Sequence, residues 1–239
     1  MLVFFVICCS ERGVPLSCSS AASDVFKIQV MMDITWLHVF FGGLMALSIL
    51  IYAILDGYDL GVGILMPRNN TPQRDQMIAS IGPFWDANET WLVLAVGILL
   101  IAFPDAYNLV LKELYLPATI LLIGLIMRGV AFDFRAKVSL DNKNTWDNIF
   151  KAGSLVSALA QGYMLGQYVV GFDASWASQG FSILSAICVA AAYSYIGATW
   201  LVMKTEGDLQ KQAACWARRC GWVTFLGVVS VCIVNPLIN

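Results

Sequence analysis

The sequence has few charged residues and a single histidine. Only 13% of its 239 residues are Asp, Glu, Lys or Arg, and 59% are hydrophobic. Water-soluble domains average about 25% charged residues, so the composition indicates an integral membrane protein. Fourteen Lys and Arg against sixteen Asp and Glu provide no basic surface for a nucleic-acid backbone, which excludes nucleic acid as a partner.

Metal-ligating residues are also scarce. The lone His38 cannot supply both ligands of a bis-histidine haem within this chain, and the seven Cys form no C-x-x-C pair or other ligand spacing. We therefore expect no metal site here, and any metal chemistry must come largely from a partner. His38 lies beside Trp36 and Phe40 and is interpreted as a polar residue of an aromatic interfacial belt.

Long uncharged runs predict membrane-spanning helices. About 20 helical residues cross a hydrocarbon core, and four uncharged runs reach that length. They are residues 34–55, 152–172, 174–203 and 220–239. With two shorter runs, the sequence predicts an all-α polytopic membrane protein with about six transmembrane helices in helical bundles.

The two shorter apolar runs, 90–104 and 114–127, must recruit charged neighbours to cross a membrane. Extending the first back to residue 83 and the second forward to residue 134 reaches the required length. The charged residues drawn in are Asp86, Glu89, Arg128 and Asp133. Immersed charges are functional-site candidates; the alternative is that both segments are re-entrant or strongly tilted.

Lys and Arg are concentrated in alternate connections between the predicted spans. They follow the first, third and fifth spans, whereas at most one follows the second or the fourth. Because cytoplasmic loops carry the excess of Lys and Arg, we expect these three connections in the cytoplasm and the functional N-terminus outside.

The two ends depart from this pattern. Residues 1–31 are expected to be an N-terminal extension, disordered or a start-site artefact, because a Met-Met-Asp start at 31–33 directly precedes the first span. Residues 32–239 form the transmembrane domain. It stops after the sixth span without a charged anchor, so we expect it to be incomplete at the C-terminus.

The run D-G-Y-D-L-G-V-G at 56–63 lies at the predicted cytoplasmic end of the first span. Its spacing places Asp56 and Asp59 on one helix face, and its glycines allow a helix or a ligand to approach closely. The alternative is an ordinary helix end with solvated carboxylates, although carboxylates oppose the helix dipole there.

Asp86 and Glu89 share one helical stripe in the run P-F-W-D-A-N-E-T-W-L at 83–92. A carboxyl group one turn inside lipid must be protonated, paired or hydrated. Such a group near a membrane face is suited to passing protons inward. The alternative is a first helical turn whose acidic residues favour the positive end of the dipole.

Arg128 begins the run R-G-V-A-F-D-F-R-A-K and lies well inside the third span. It approaches the same side as Asp86 and Glu89, and pairing with one of them would lower the burial cost of both charges. Arg135 and Lys137 in the same run are interpreted as cytoplasmic anchors.

Together, the three runs resemble subunit II of the cytochrome bd-type quinol oxidases, including their cyanide-insensitive relatives. These are heterodimeric terminal oxidases of bacterial inner membranes. The runs occur in the family's order, and the resemblance covers residue 33 to the C-terminus. Family members have eight spanning helices, so the chain resembles a truncated member.

The resemblance implies an activity and its cofactors. Subunit I holds haem b, haem d and the quinol site, and subunit II ligates none of them. The complex, which a small accessory subunit can join, oxidises ubiquinol or menaquinol and reduces O₂ to water with protons drawn from the cytoplasm. Subunit II contacts subunit I, lipid and, in some members, a structurally bound quinone.

The resemblance also assigns roles to residues, none of them catalytic in this chain alone. The proton-path candidates are, in order, Asp86, Asp59, Glu89 and Asp56. The charged partners are Arg128, Lys137 and Asp133. Trp91 lies where an O₂ route is placed in the family.

Two other functions would use similar residues. A secondary transporter also places Asp, Glu and Arg inside the membrane, but it is built from inverted repeats with broken helices, and no duplicated short span is visible here. An accessory membrane scaffold without chemistry of its own is the other alternative. Co-purification of a haem-bearing partner separates an oxidase subunit from a transporter.

Overall fold

A computed structural model describes residues 21–67, 71–137 and 143–238 of the chain. Within these ranges the regular elements are seven α-helices and no strands, which confirms the predicted all-α class. The helices are α1 Ala21–Leu65, α2 Thr71–Ile81, α3 Trp85–Ala102, α4 Pro104–Lys137, α5 Lys143–Val169, α6 Trp176–Lys204 and α7 Asp208–Ile238.

Five of these helices are long and apolar enough to cross a membrane. They are α1 from Trp36 onward, α3, α4, α6, and α7 as far as Pro236. The more polar α5 is 27 residues long and covers most of the span predicted at 152–172. Its crossing of the membrane stays a prediction.

The two short apolar runs form longer helices than their uncharged lengths suggest. Helix α3 begins at Trp85, so Asp86 and Glu89 lie in its first turns as expected. Helix α4 has 34 residues and begins at Pro104, a residue whose missing N–H suits the first helical position. The stretch between the two runs, residues 105–113, is therefore helical.

The first described helix begins at Ala21, inside the predicted N-terminal extension. Residues 1–20 lie outside the described part of the chain, and the boundary at residues 31 and 32 stays a prediction.

The chain divides into two compact units, each with its own core. The first unit comprises the chain up to Ala53 together with Glu89–Lys112. Its buried core is formed by Met45, Ala95, Ile98 and Phe103. The second unit comprises Ile54–Asn88 and Glu113–Asn239, and its larger core includes Tyr58, Val62, Met77, Ile81, Phe150 and Leu201.

Small residues allow helices α5 and α6 of the second unit to pack closely. A Cβ on Gly162 would lie 2.6 Å from the Cα of Ala186, and one on Gly166 would lie 2.5 Å from the Cα of Ser182. Gln167 Nε2 donates to Ser182 Oγ at 2.9 Å across the same interface. Small residues and interhelical hydrogen bonds of this kind hold membrane helices together.

Candidate functional site

A buried ion pair joins helices α1 and α4 in the second unit. Arg128 Nη2 donates to Asp56 Oδ1 at 2.6 Å, and each side chain is only 1% exposed. Each charge removes part of the burial cost of the other. The sequence did not indicate Asp56 as a partner of Arg128. The predicted pairing of Arg128 with Asp86 or Glu89 stays a prediction.

Asp59, one turn after Asp56 on α1, is also fully buried and has a different hydrogen-bond donor. Asn88 Nδ2 donates to Asp59 Oδ2 at 2.9 Å and to Tyr58 Oη at 2.7 Å. The Tyr58 ring stacks on Trp200 of α6 with ring centroids 4.2 Å apart. Asp59 is thus held by a neutral amide, whereas Asp56 is held by a guanidinium group.

Glycines of the 56–63 run bring α1 and α6 into backbone contact. A Cβ on Gly61 would overlap the carbonyl oxygen of Tyr193 and lie 3.0 Å from the Cα of Gly197. A Cβ on Gly57 would lie 2.9 Å from the Tyr193 ring. The expectation that these glycines admit a neighbouring helix is confirmed, and their packing fixes the helix face that carries both aspartates.

A second charged network connects α2, α4 and α5. Asp147, 1% exposed, receives a hydrogen bond from Arg135 Nε, and its Oδ2 lies 2.9 Å from Arg74 Nη1 in an ion pair. Arg135 Nη2 also donates to the half-exposed Asp75 at 2.7 Å. The side chain of Arg135 is therefore buried among carboxylates, and its interpretation as a cytoplasmic anchor stays a prediction.

The remaining predicted site residues are less enclosed. Asp86, Asp133 and Lys137 are exposed, and Glu89 and Trp91 are partly buried. The structure thus places Asp56, Asp59 and Arg128 in the buried polar region and Asp86 at a solvent-accessible helix start. The roles inferred for these residues from the resemblance stay predictions.

The sequence reasoning missed Asn88, Arg74 and Asp147 as members of buried polar networks. Asn88 was visible inside the 83–92 run, where an amide two residues from an aspartate in an apolar segment is a usable signal. Arg135 is two helical turns after Arg128, so the two share one face of α4. That spacing was the available signal for a second buried arginine.

His38 lies in the first unit, beside an apolar cavity. Its ring centroid is 5.8 Å from that of Phe103, and the cavity of about 550 Å³ is otherwise lined by apolar residues of α1 and α3, such as Phe41 and Ile98. A bis-histidine haem does not fit a chain with one imidazole. Within the described residues, no three His, Cys, Asp or Glu side chains are grouped so that they could hold a metal ion.

The chain is similar to known membrane proteins. A family model described as cytochrome bd terminal oxidase subunit II matches residues 37–238. The chain is 33% identical over 207 residues to cytochrome bd ubiquinol oxidase subunit 2 of Bacillus subtilis, covering 81% of this chain and 61% of the relative. It is 31% identical over 216 residues to cytochrome bd-I ubiquinol oxidase subunit 2 of Escherichia coli K12, covering 83% of this chain and 55% of the relative.

Proposed function

Because the chain belongs to the cytochrome bd terminal oxidase subunit II family, we propose that it serves as the subunit that ligates no haem in a heterodimeric quinol oxidase. The chain spans about 61% and 55% of the length of the two relatives above, so the activity of the whole complex is part of this proposal. The complex would oxidise ubiquinol or menaquinol in a bacterial inner membrane and reduce O₂ to water. When bound, haem b and haem d of subunit I supply the electron transfer and the O₂ chemistry.

The buried acidic pair on α1 is the observation that carries the proposal. Asp56 and Asp59 are 0% exposed and lie in a helix segment that is apolar enough to span a membrane. Ionisable residues at such positions are costly and mark ion or proton pathways. An ordinary helix end with solvated carboxylates, the alternative considered for this run, does not fit two fully buried carboxylates.

The hydrogen bonds of Asp56 and Asp59 suggest which of the two carboxyl groups takes up a proton. Both carboxylates are fully buried, but different groups donate to them. Arg128 is bonded to Asp56, whereas the amide of Asn88 donates to Asp59. A proton on Asp59 would lower the cost of burying its carboxyl group, so we assign Asp59 as the buried proton acceptor of this chain.

Asp86 is suited to be the entry point for that proton. It is exposed in the first turn of α3, two residues before Asn88, whose amide contacts Asp59. By the distribution of Lys and Arg, this end of the helices faces the cytoplasm. Trp91, partly buried one turn further along α3, keeps its candidate role on an O₂ route.

The test compares Asp86→Asn with a matched control, Asp173→Asn, in the assembled complex. Asp173 lies in the connection between α5 and α6, where hydrogen bonds from Ser175 and Ser178 lower the pKa of its carboxyl group. It therefore stays ionised near neutral pH and exchanges no proton during turnover.

We expect co-purification of a haem-bearing partner and quinol-driven O₂ uptake at normal haem content in the control. In Asp86→Asn we expect O₂ uptake to fall at least about tenfold at unchanged haem content, because positioned proton-transfer groups typically contribute about 100- to 10,000-fold to a rate. Loss of haem would indicate an assembly role. Normal turnover would remove Asp86 from the proton path, and absence of any haem-bearing partner would contradict the oxidase assignment.

A further inference from the structure

A groove between helices α6 and α7 of the second unit has features that neither the proton-uptake proposal nor the family match uses. Its volume is about 680 Å³, and its lining includes Tyr195, Arg218, Gly221, Trp222, Thr224 and Phe225. Its walls are mainly apolar and aromatic, and no acidic side chain is among the residues that line it in the described part of the chain.

Arg218 gives one end of the groove a positive charge. Its side chain is exposed, and the described residues supply it with no ion pair, whereas Arg74, Arg128 and Arg135 are all bonded to buried aspartates. The planar guanidinium group of an arginine favours an anionic acceptor with two oxygen atoms that it can bond at once, such as a phosphate group. The positive charge at this end of the groove therefore favours an anionic occupant.

Thr224, further along α7, also lines the groove. Ser and Thr in membrane helices commonly donate to the carbonyl four residues earlier, as Ser230 of α7 does to Leu226 at 2.8 Å. Thr224 Oγ1, by contrast, is buried without a hydrogen-bond partner among the described residues. It lies six residues after Arg218, about 9 Å along the helix axis.

Aromatic side chains form much of the remaining lining of the groove. Tyr195 approaches Gly221 so closely that a Cβ there would lie 3.2 Å from its ring. Trp222 and Phe225 are both more than half exposed. Along α7 from the charged end, the lining thus comprises a guanidinium group, an indole, the side chain of Thr224 and apolar surface, which is the order of charge and polarity in a phospholipid.

We propose that this groove binds one anionic phospholipid, with its phosphate on Arg218, its glycerol ester region at Thr224 and an acyl chain against Phe225. Basic pockets between transmembrane helices bind anionic headgroups in this way. The site is independent of the oxidase assignment, because its residues are separate from the Asp56, Asp59 and Arg128 cluster.

The test uses the purified full chain, with any partner that co-purifies, in nanodiscs of phosphatidylcholine containing phosphatidylglycerol. Native mass spectrometry counts the phosphatidylglycerol retained after detergent exchange. Arg218→Gln is compared with Arg219→Gln, which removes the same charge from the next residue of the same helix outside the groove. Thr224→Val removes only the hydroxyl group.

We expect the unchanged chain to retain phosphatidylglycerol in preference to phosphatidylcholine. Arg218→Gln should reduce that retention about fivefold or more, Thr224→Val should reduce it measurably, and Arg219→Gln should change it less than about twofold, because it removes only a screened surface charge. Equal losses in the two arginine variants would show general surface attraction and overturn the proposal. Equal retention of phosphatidylglycerol and phosphatidylcholine by the unchanged chain would also overturn the proposal. That result is expected if a protein segment, and not a lipid, occupies the groove.

Discussion

The ion pair between Asp56 and Arg128 gives the sharpest prediction for stability. Removing one partner of a buried pair costs about 3–5 kcal/mol because the other charge stays buried. Insertion measurements put a charge at the centre of a membrane helix at about 2.5–3.5 kcal/mol. The two ranges overlap near 3 kcal/mol, so Asp56→Asn or Arg128→Gln alone should lower the free energy of unfolding by about 3 kcal/mol, on the order of 100-fold in the folded-to-unfolded ratio.

The assay is unfolding of the purified chain in mixed micelles with increasing SDS, followed by tryptophan fluorescence and by far-ultraviolet circular dichroism. The double variant should be more stable than the sum of the single losses predicts, by about 2 kcal/mol, because two neutral amides replace two opposite charges. Lys137→Gln on the exposed face of α4 is the control and should change stability by less than about 0.5 kcal/mol. Additive losses in the double variant, or single losses no larger than that of the control, would refute the reasoning.

Three further predictions follow from the packing and the sequence pattern. Gly61→Ala should lower the free energy of unfolding by about 3 kcal/mol or more, because the new methyl group would overlap the Tyr193 carbonyl oxygen on α6; an unchanged SDS midpoint would contradict this. His38→Ala should leave the haem content of the assembled complex unchanged, as measured by pyridine haemochrome spectra, and a haem loss would make His38 a ligand. Single cysteines at Asp173 and Glu206, which flank α6, should react with impermeant reagents from opposite sides of the membrane; labelling from one side would show that a span was miscounted.

The helices were largely predictable because membrane spans are set by length and hydropathy. Most residues of the uncharged runs lie in α1, α3, α4, α5, α6 and α7, and the inclusion of Asp86 and Glu89 in the first turns of α3 followed from a length deficit alone. The helical start of α4 at Pro104 was missed because Lys112 and Glu113 look like loop residues in a hydropathy pattern. Their exposed positions on a continuous helix cost little at a membrane surface.

The pairing of charges was less predictable for a geometric reason. Which carboxylate meets Arg128 depends on the rotation of α1 and α4 about their axes and on how closely they pack, and the glycines that set this distance do not specify a partner. The pattern of Lys and Arg is also the same for a solvated anchor and for a buried arginine. The burial of Arg135 was therefore not predicted, although its spacing from Arg128 places both on the buried face of α4.

The most direct test of the central claim is proton uptake by the assembled complex in which Asp59 is replaced by Asn. Reduced complex in vesicles is given a pulse of O₂, and a pH indicator on the side of the α1 C-terminus records the protons taken up. The account predicts that Asp59→Asn slows proton uptake and O₂ consumption together, at normal haem content, while Asp173→Asn changes neither. Proton uptake at the unaltered rate in Asp59→Asn, with normal haem content, would contradict the assignment of the buried acidic cluster to proton transfer.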